Sequence, residues 1–565
     1  MRLASLDIGT NSIHMVIVEA RGRGGVQVID RDKAMVKLGA GLFESGGLTE
    51  RAFAEGIDVV RRYVKLAQSR GVDEILAVAT SATREAENGG AFVDEIRRQT
   101  GVSPKVISGF EEARLIFLAV RRSLDLAQRR CLVVDIGGGS VELAVGQSEQ
   151  LLFADSLRLG VQRLLARVKS PDPLGSKEVT SLEGYIEGVL EAAVRRIKSL
   201  GFDQVVGTSG TLRTVGEAAH LRAKGTPWRS LNAQTVSLKN LAALAKELAA
   251  MTPAERAEVD RVGEARADAI HLGAVLATRL LALVGADELT LCDASLREGV
   301  VWDYLERHPA DEHGVRLIGD PRRRSIIELA RRSGRDDPRE QHVARLALEL
   351  FDGLAALHGL GSPERELLDY SALLFGIGRH IRYEGRERHA EYIITNSALS
   401  GFTELEITLL GLIVRYHRGA RPKKSHRSFR ALGRTERRVV NVLSGILRVA
   451  VALDRGYTQQ VKRVVVRTDT EPVAIGIEGS GELEIELLAA RSKLAPLERA
   501  LRRALRVELG TVGPGLPAVD NAAQAGEIAA SGSGPGIELQ HGMQAGVDRS
   551  SGAQTADGQK SEDTA

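Results

Sequence analysis

The first half of the chain alternates short apolar runs with tight turns and longer amphipathic stretches. Residues 3–9 form an apolar run that ends in Asp-Ile-Gly, and residues 13–18 form a second run directly after the turn. Residues 130–135 and 140–145 repeat this arrangement on either side of three glycines. β-Branched residues favour strands in these runs, whereas residues 52–70 have apolar positions at helical spacing. The pattern predicts an α/β fold.

Two of the turns share a short motif. Residues 7–12 are Asp-Ile-Gly-Thr-Asn-Ser and residues 135–140 are Asp-Ile-Gly-Gly-Gly-Ser, so both follow the pattern Asp-Ile-Gly-x-x-Ser. Each motif lies between two predicted strands, and a chance repeat in that context is much rarer than a single triplet. The repeat predicts two related lobes, each with a hairpin that faces phosphate.

The second half of the chain has a different pattern. Residues 321–456 have helical spacing almost throughout and predict an all-α domain. Residues 461–468 and 483–488 alternate like strands and residues 495–509 resemble a helix, which predicts a small α+β end piece. Beyond residue 511 the chain lacks aromatic residues and is rich in Gly, Ser, Ala and Gln, which predicts disorder. The predicted domains are residues 1–125 (lobe I), 126–305 (lobe II), 306–456 (helical domain), 457–511 (end piece) and 512–565 (tail).

Composition restricts the class of protein. The chain has no long apolar run and no charged-then-apolar amino terminus, so we expect no membrane span and no signal peptide. Its two cysteines, Cys131 and Cys292, form no CxxC pair, which favours a reducing cytoplasm over a disulfide framework or a cysteine zinc site. Residues 306–470 contain 30 Lys+Arg against 21 Asp+Glu. Such a region attracts polyanions, although a solubilising surface explains the same charges.

Three glycine-rich or hydroxyl-rich turns are candidate phosphate sites. Residues 137–140 expose backbone N–H groups that can cradle a phosphate, and Asp135 before them is placed to hold Mg²⁺ through water. Residues 207–211 follow a strand and precede a helix predicted to begin near Leu212, where unpaired N–H groups attract anions. Residues 80–84 also follow a strand and end in an arginine that can clamp a phosphate. The structural alternatives are a plain glycine hairpin, an N-cap turn and a surface arginine.

Two adjacent acids, Glu111 and Glu112, lie at the start of a predicted helix. Acids at that position interact favourably with the helix dipole, which is a purely structural explanation. The functional interpretation is that one of them orients and deprotonates an attacking water. Phosphoryl transfer requires positioning, charge neutralisation and such a water-holding group.

Taken together, these segments resemble the exopolyphosphatase/guanosine pentaphosphate phosphatase (Ppx/GppA) family. The resemblance is carried by the strings DIGTNSIHMVI, AVATSATREA, ISGFEEARLIFLAV, VVDIGGGSVELAVG, VGTSGTLRTVGE and LCDASLREGV, in family order. It continues in the helical region through HAEYIITNSALSGFTELE and VRYHRGA. It implies two actin-like (ribonuclease H-like) lobes, hydrolysis of phosphoanhydrides, Mg²⁺ and a homodimer.

The resemblance also assigns roles to individual residues. The general base falls on Glu112 and a phosphate-binding arginine falls on Arg84. Asp135 and Glu142, together with Asp7, fall near the metal and the nucleophilic water. The other implied phosphate-binding residues are Asn11, Ser12, Gly137, Gly138, Gly139, Ser140, Ser209, Gly210 and Thr211.

The helical domain resembles the HD phosphohydrolase fold, which binds metals through a histidine, a His-Asp pair and a distant aspartate. His342 and Asp454 fall on the outer ligands, but the central pair falls on residues 375–376, Phe-Gly, which offer no side-chain ligands. Loss of two of four ligands should abolish the metal site, so we expect a scaffold. His389 and His417 are candidate ligands for another geometry, although ordinary core or surface positions explain them.

The resemblance favours an exopolyphosphatase, which releases orthophosphate from the end of inorganic polyphosphate by in-line attack of water with Mg²⁺. Hydrolysis of guanosine pentaphosphate uses the same chemistry and stays open. An actin-like metabolite kinase shares the glycine loops but does not require a water-directed Glu112. A non-catalytic polyphosphate or alarmone sensor is a third class, against which the intact acids and loops argue. We expect a cytoplasmic protein with at most peripheral membrane association and no specific nucleic acid partner.

The most basic segment lies between two predicted helices of the helical domain. Residues 415–438 contain ten Lys+Arg against one acid, Glu436, and Gly419, Pro422 and Gly433 indicate a loop. Such a segment repels itself unless an anion is near, although a solvated loop is the simpler explanation. We expect it to hold the distal part of a polyphosphate chain, with nucleic acid as the rival ligand. The predicted channel residues are Arg415, Arg418, Lys423, Lys424, Arg427 and Arg430.

Overall fold

The amino-terminal part of the chain forms a mixed five-stranded sheet with its helices. The computed structural model describes residues 1–21, 25–126, 128–168, 172–308, 320–334 and 338–510. The strands are β1 (Arg2–Ile8), β2 (Ile13–Arg21), β3 (Gly25–Ala34), β4 (Glu74–Ala79) and β5 (Lys105–Val106). The helices are α1 (Leu42–Ser45), α2 (Glu50–Ser69), α3 (Ser81–Glu85), α4 (Gly89–Thr100) and α5 (Gly109–Ser123). The order is β3-β2-β1-β4-β5, with β2 antiparallel to its neighbours and β4 and β5 parallel to β1.

The next part of the chain forms a second mixed sheet. Its strands are β6 (Arg130–Ile136), β7 (Val141–Gln147), β8 (Gln150–Leu157), β9 (Gln204–Thr208), β10 (Thr235–Ser237) and β11 (Glu288–Leu291). Its helices are α6 (Val161–Arg167), α7 (Ser176–Leu200), α8 (Ser209–Lys224), α9 (Leu238–Ala250), α10 (Pro253–Ala257), α11 (Glu264–Ala267), α12 (Ile270–Val284) and α13 (Leu296–Arg307).

Both sheets have the same strand order. The series β8-β7-β6-β9-β11 repeats β3-β2-β1-β4-β5 with the same directions, and β10 adds an antiparallel edge strand. The predicted α/β fold of two related lobes is therefore confirmed. Every residue of β6 after the first is buried, which explains why this central strand is almost continuously apolar.

Helix α13 connects the second sheet back to the first lobe. Val301, Trp302 and Leu305 are buried against Leu3 of β1 and Leu118 of α5. The two lobes are therefore joined by a packed helix as well as by the link between α5 and β6.

The remaining described residues form helices and a small sheet around one core. The helices are α14 (Pro321–Arg332), α15 (Pro338–Gly353), α16 (Ala355–His358), α17 (Ser362–Leu374), a 3-10 helix (Ile377–His380), α18 (Arg386–Thr395), α19 (Glu404–Tyr416), α20 (Arg427–Ala431), α21 (Arg434–Ala452), α22 (Glu484–Arg491) and α23 (Ala495–Leu501). The strands are β12 (Val461–Arg467), β13 (Val473–Gly479) and β14 (Leu505–Leu509), in the order β12-β13-β14. A single hydrophobic cluster runs from Ile326 to Val507, so the helices and the sheet share it.

The end piece differs from its predicted secondary structure. Residues 483–488, predicted as a strand, lie mostly in helix α22, and the predicted helix 495–509 divides into α23 and β14. The alternation misled the prediction because burial here follows helical spacing: Leu483 is buried and Leu487 packs against the core, whereas other apolar members face outward. Ile485 is 62% exposed and Leu488 58% exposed, whereas Glu486 is buried and accepts a hydrogen bond from the backbone N–H of Gly456.

Asp454, which the sequence suggested as a remaining metal ligand, forms an ion pair with an arginine. Nε of Arg339 lies 2.8 Å from Oδ2 of Asp454, and both side chains are buried. The same guanidinium lies 5.3 Å from the ring centre of Phe375. No cluster of three or more His, Cys, Asp or Glu side chains suited to a metal occurs in the described part of the chain.

Two of the predictions concern membrane association and the tail. None of the described helices is both long and apolar enough to cross a membrane. The tail, residues 512–565, lies outside the described residues, so its predicted disorder stays a prediction.

The buried pair of Arg339 and Asp454 should stabilise this part of the protein strongly. Replacing Asp454 with alanine leaves a buried guanidinium without its carboxylate, which typically costs about 3–5 kcal/mol. We expect that loss in the free energy of unfolding by urea, followed by circular dichroism. The control is Glu384→Ala, which breaks the exposed pair with Arg382 and should cost at most about 1 kcal/mol. Equal effects of the two substitutions would show that burial does not govern the pair.

Candidate active site

Two hairpin turns, one from each lobe, are in contact with each other. The turn between β1 and β2 is closed by a hydrogen bond from the N–H of Gly9 to the carbonyl of Ser12, and the turn between β6 and β7 by the equivalent bond from Gly137 to Ser140. A Cβ on Gly139 would lie 2.8 Å from the hydroxyl of Thr10. Only glycine permits this approach, so the central glycines allow the lobes to touch.

The aspartate of each Asp-Ile-Gly motif has a different cross-strand partner in the two lobes. In the first lobe Asp7 pairs across the strands with His14, and in the second lobe Asp135 pairs with Glu142. A cavity of about 760 Å³ opens between the turns. It is lined by most of the predicted site residues, namely Asp7, Asn11, Ser12, Glu112, Asp135, Gly137, Gly138, Gly139, Ser140, Glu142, Ser209, Gly210 and Thr211. We call this cavity the cleft.

Helix α5 presents its two acids to different surroundings. Ser108 caps the helix and accepts a hydrogen bond from the N–H of Glu111. The Glu111 carboxylate is held 2.8 Å from Nε of Arg114 and does not line the cleft. Glu112 is buried and lines the cleft, and its Oε2 lies 3.3 Å from Nη1 of Arg84. The structure therefore separates the two acids that the sequence placed side by side.

Arg84 does not line the cleft itself. Its Nη1 also donates a hydrogen bond to the carbonyl of Ile107, at 2.7 Å. Together with Ser140 and Ser156 it lines a smaller neighbouring cavity. Arg84 is thus connected to the predicted site through its contact with Glu112.

Four carboxylates in the cleft influence one another: Glu112, Asp135 and Glu142 are buried and Asp7 is partly exposed. Burial raises the pKa of Glu112 and Asp135 well above the usual range, and the charge of Glu142 raises both further. Burial raises the pKa of Asp7 to about 7, against the opposing effect of Arg297. Burial likewise raises the pKa of Glu142, although its hydrogen bond from Ser156, at 2.7 Å, lowers it. The group carries more negative charge than the surrounding protein neutralises.

The turn after β9 begins a helix earlier than predicted. Helix α8 starts at Ser209 rather than near Leu212, so Ser209, Gly210 and Thr211 form its first turn. Ser209 has φ of +81°, an unusual conformation for a residue with a side chain, and its Oγ accepts a hydrogen bond from the N–H of Leu212. The first-turn N–H groups of α8 lie at the cleft, as required for an anion site.

A group of cationic side chains in the cleft was missed in the sequence. It consists of Arg31, Lys33, Arg213, Arg261, Arg266 and Arg297. Burial lowers the pKa of Lys33 to about 8, and the charges of Arg266, Arg297 and Arg213 lower it further. The same surroundings lower the pKa of His14 to about 3, mainly through its burial, so its ring is neutral. Nε of Arg213 is buried without a hydrogen-bond partner in the described residues.

Part of this cationic group was visible in the sequence. Arg213 and Arg297 lie in the strings VGTSGTLRTVGE and LCDASLREGV, although neither received a role. Lys33 and Arg266 had no motif, because they come from a strand and a short helix far apart in the chain. Only the fold brings these charges together.

The predicted channel residues lie elsewhere. None of the six lines the cleft. Arg415 is in helix α19 and forms an ion pair with Glu391, so its charge is compensated. Arg427 and Arg430 lie in the short helix α20, whereas Lys423 and Lys424 precede it.

Comparisons with known proteins identify the family of the chain. The family model described as "Ppx/GppA phosphatase family" matches residues 16–308, which is just over half of the chain. The chain belongs to the Ppx/GppA phosphatase family. A model described as "Ppx/GppA phosphatase, domain III" matches residues 322–486, so the resemblance noted in the helical region holds there too.

Individual Ppx/GppA relatives match the two lobes. The chain is 33% identical over 320 residues to Exopolyphosphatase 1 of Mycobacterium leprae, covering 56% of this chain and 93% of that protein. It is 34% identical over 322 residues to Exopolyphosphatase 1 of Mycobacterium tuberculosis, covering 91% of it. The crystal structure of an exopolyphosphatase from Cytophaga hutchinsonii matches with a TM-score of 0.52 and 29% identity, over 54% of this chain and 98% of that chain.

The raised pKa of Asp7 predicts a pH-dependent loss of stability. Above about pH 4 the unfolded chain releases this proton, whereas the folded protein keeps it until about pH 7. The contribution to stability therefore falls as pH rises through that window, by about 1.4 kcal/mol for each pH unit. In buffer without divalent ions, Asp7→Asn should gain stability relative to wild type between pH 4 and pH 7, measured by urea unfolding. Parallel curves would contradict the assigned burial of the charge.

Proposed function

We propose that this Ppx/GppA protein is an exopolyphosphatase that hydrolyses the terminal phosphoanhydride bond of inorganic polyphosphate. The observation that carries the proposal is the make-up of the cleft, which combines a buried acid, Glu112, with a glycine turn, a helix start and a cationic group. A chain of phosphoryl groups satisfies every one of these features, because it is anionic along its length and is attacked at its end. The names of the mycobacterial relatives support this substrate.

Positioning of the terminal phosphoryl group falls to the backbone. Gly138, Gly139 and the first turn of α8 all line the cleft, and in our proposal their N–H groups bind the terminal phosphoryl group. Preorganised N–H donors stabilise the charge that develops on the equatorial oxygens during in-line displacement. The next phosphoryl groups of the chain then bind to the cationic group. In that group Nε of Arg213 is buried and has no hydrogen-bond partner among the described residues.

Glu112 is the proposed general base. A carboxylate whose pKa is raised by burial is a stronger proton acceptor than an exposed one, and it remains within reach of the solvent in the cleft. In our proposal it takes a proton from the attacking water, which becomes the new oxygen of the released orthophosphate. Arg84 holds the orientation of this carboxylate through the contact of 3.3 Å.

The acidic group suits a hydrated magnesium ion. Burial raises the pKa of Asp7 and Asp135, the charge of Glu142 raises both further, and a divalent cation beside them would offset this repulsion. Mg²⁺ is usually bound through one or two carboxylates, several waters and substrate phosphates, which is compatible with a group that forms no closed cage among the described residues. When bound, Mg²⁺ supplies charge neutralisation for the phosphoryl oxygens.

Guanosine pentaphosphate is the second candidate substrate. The family includes phosphatases for it, and the cleft's phosphate-binding features do not distinguish the two substrates. Turnover on long polyphosphate against turnover on the nucleotide separates them. A metabolite kinase explains the hairpins but gives no role to a buried, cleft-facing Glu112. A non-catalytic sensor gives no role to Glu112 or to the carboxylates of Asp7, Asp135 and Glu142.

The remaining predictions concern the helical domain and assembly. We propose that this domain is an HD-like scaffold without catalysis of its own, because Arg339 neutralises Asp454 and residues 375–376 offer no ligands. A homodimer, a cytoplasmic location and the absence of a specific nucleic acid partner stay predictions from the resemblance and the composition.

Replacing Glu112 with glutamine should remove most turnover and leave the fold intact. Loss of a general base typically lowers the rate about 10²–10⁴-fold. The measurement is kcat for phosphate release from long polyphosphate, with thermal melting as a check of folding. Glu111→Gln is the matched control and should keep near wild-type kcat, because Glu111 pairs with Arg114 outside the cleft. A Glu112→Gln enzyme with more than about a third of wild-type kcat would remove Glu112 as the base.

Replacing Asp135 with asparagine should change the metal requirement. One carboxylate of the acidic group is lost while its hydrogen bond with Ser295, at 3.3 Å, is retained in kind. We expect a higher Mg²⁺ concentration for half-maximal activity, and a smaller rise in melting temperature on adding Mg²⁺. An unchanged Mg²⁺ titration would place the ion away from Asp135.

The basic segment should contribute to binding of long chains. Reversal of Lys423, Lys424, Arg427 and Arg430 to glutamate should raise KM for long polyphosphate strongly and KM for triphosphate little. The affinity for long chains should also lose much of its salt dependence, because fewer counterions are released. Equal effects on both substrates, or none on either, would contradict this role.

A further inference from the structure

A cluster of tyrosine and arginine side chains stands at the surface of the helical domain, near the position of the missing HD ligands. We define the tyrosine–arginine cluster as Arg379, Tyr383, Arg386, Arg418 and Tyr457. Tyr383 and Tyr457 are 60% and 47% exposed, and Arg379 and Arg386 are half-buried between them and the core. None of these residues lines the cleft between the lobes.

The arginines of the cluster are held against the two rings. Nη2 of Arg379 donates a hydrogen bond to the hydroxyl of Tyr457, and the Arg379 guanidinium lies 5.5 Å from that ring's centre. The guanidiniums of Arg386 and Arg418 lie 4.4 and 6.0 Å from the ring centre of Tyr383. Contact with a ring orients a guanidinium but leaves its edge N–H groups free to bind an anion.

The positive charge of the cluster is not compensated. Within the described residues, no carboxylate forms an ion pair with Arg379, Arg386 or Arg418, whereas the neighbouring Arg382 and Arg415 are each paired with a glutamate. Nε of Arg379 and Nη1 of Arg386 are also buried with no hydrogen-bond partner there. The guanidiniums of this cluster thus lack an anionic partner among the described residues, and an anion would bind through their N–H groups other than these two enclosed ones.

Arginines of the cluster lower the pKa of both tyrosines, and Arg386 acts on each of them. Although partial burial alone raises the pKa of Tyr457, its hydrogen bond from Arg379 and the charges of Arg339, Arg379 and Arg386 lower it. A hydrogen bond from Arg386 lowers the pKa of Tyr383. Tyr457 also has φ of +63°, a conformation that a residue with a side chain adopts at a cost. The backbone is thus strained at the residue that holds Arg379 in place.

We propose that the tyrosine–arginine cluster is a second anion site, which binds a phosphoryl group outside the catalytic cleft. Arginine suits this ligand because its planar guanidinium donates two parallel hydrogen bonds to phosphate oxygens. The phosphoryl group comes either from a small phosphate compound or from the distal part of a polyphosphate chain. The first source is independent of the proposed function, whereas the second source rests on it.

Binding of inorganic pyrophosphate and of long polyphosphate to the full-length Glu112→Gln protein tests this site. Calorimetric titration with pyrophosphate should show two classes of site. Arg379→Gln and Arg386→Gln should each weaken one class about tenfold or more and leave the other unchanged, because a charged hydrogen bond is lost. Arg382→Gln is the matched control, since that side chain is exposed and already paired with Glu384, and it should change neither class.

The outcomes distinguish the two sources from failure of the proposal. A response of pyrophosphate binding to the cluster substitutions identifies a small ligand, whereas a response of long polyphosphate alone identifies the substrate chain. Unchanged binding of both ligands in all cluster variants would overturn the proposal. Melting temperatures without ligand check folding, and Arg418→Gln, which alters an exposed side chain, decides the question if the half-buried variants unfold. If the cleft binds no ligand, the titration should show a single class of site, and the cluster substitutions should weaken it. That result would count against the proposed function but not against the second anion site.

Discussion

The contact between the two glycine turns is the constraint on which the rest of the site depends. Gly138 and Gly139 pack against Thr10 and Asn11 so closely that a Cβ at Gly139 would come within 3 Å of the opposite turn. This contact brings two repeated hairpins together, and with them Asp7 from one lobe and Asp135 from the other. The two turns come this close because Gly138 and Gly139 have no side chains where they meet those of Thr10 and Asn11.

The contact between the two turns also brings side chains of like charge together, which shifts their pKa values. Burial raises the pKa of the four carboxylates, and repulsion from Glu142 raises the pKa of Glu112 and Asp135 further. In the cationic group, burial and then the neighbouring arginines lower the pKa of Lys33 and Arg266. Arg31, Arg261 and Arg297 are paired with Glu298 or Glu217. The members without an ion pair among the described residues are Lys33, Arg213 and Arg266 in the cationic group and Asp7, Asp135 and Glu142 in the acidic group. In our proposal a divalent cation would balance the acidic group and a polyanion the cationic group, which is the substrate class that the names of the relatives also suggest.

The features that the sequence predicted are those carried by short motifs. The Asp-Ile-Gly-x-x-Ser repeat predicted two related lobes, and the strand order confirms them. The choice of Glu112 over Glu111 came from resemblance, and the structure adds that only Glu112 faces the cleft. Lys33 and Arg266 were missed because their proximity depends on tertiary structure. The strand predicted at 483–488 was wrong because burial there follows helical spacing, with Leu483 and the polar Glu486 buried and Ile485 exposed.

Hydrolysis of long polyphosphate in ¹⁸O-labelled water tests the central claim most directly. With purified protein, Mg²⁺ and no nucleotide, mass spectrometry should find one ¹⁸O atom in each released orthophosphate. The remaining chains should shorten from their ends and carry no label inside. Release that requires a nucleotide, orthophosphate without ¹⁸O, or cleavage within the chain would contradict attack by water at the terminal phosphoryl group.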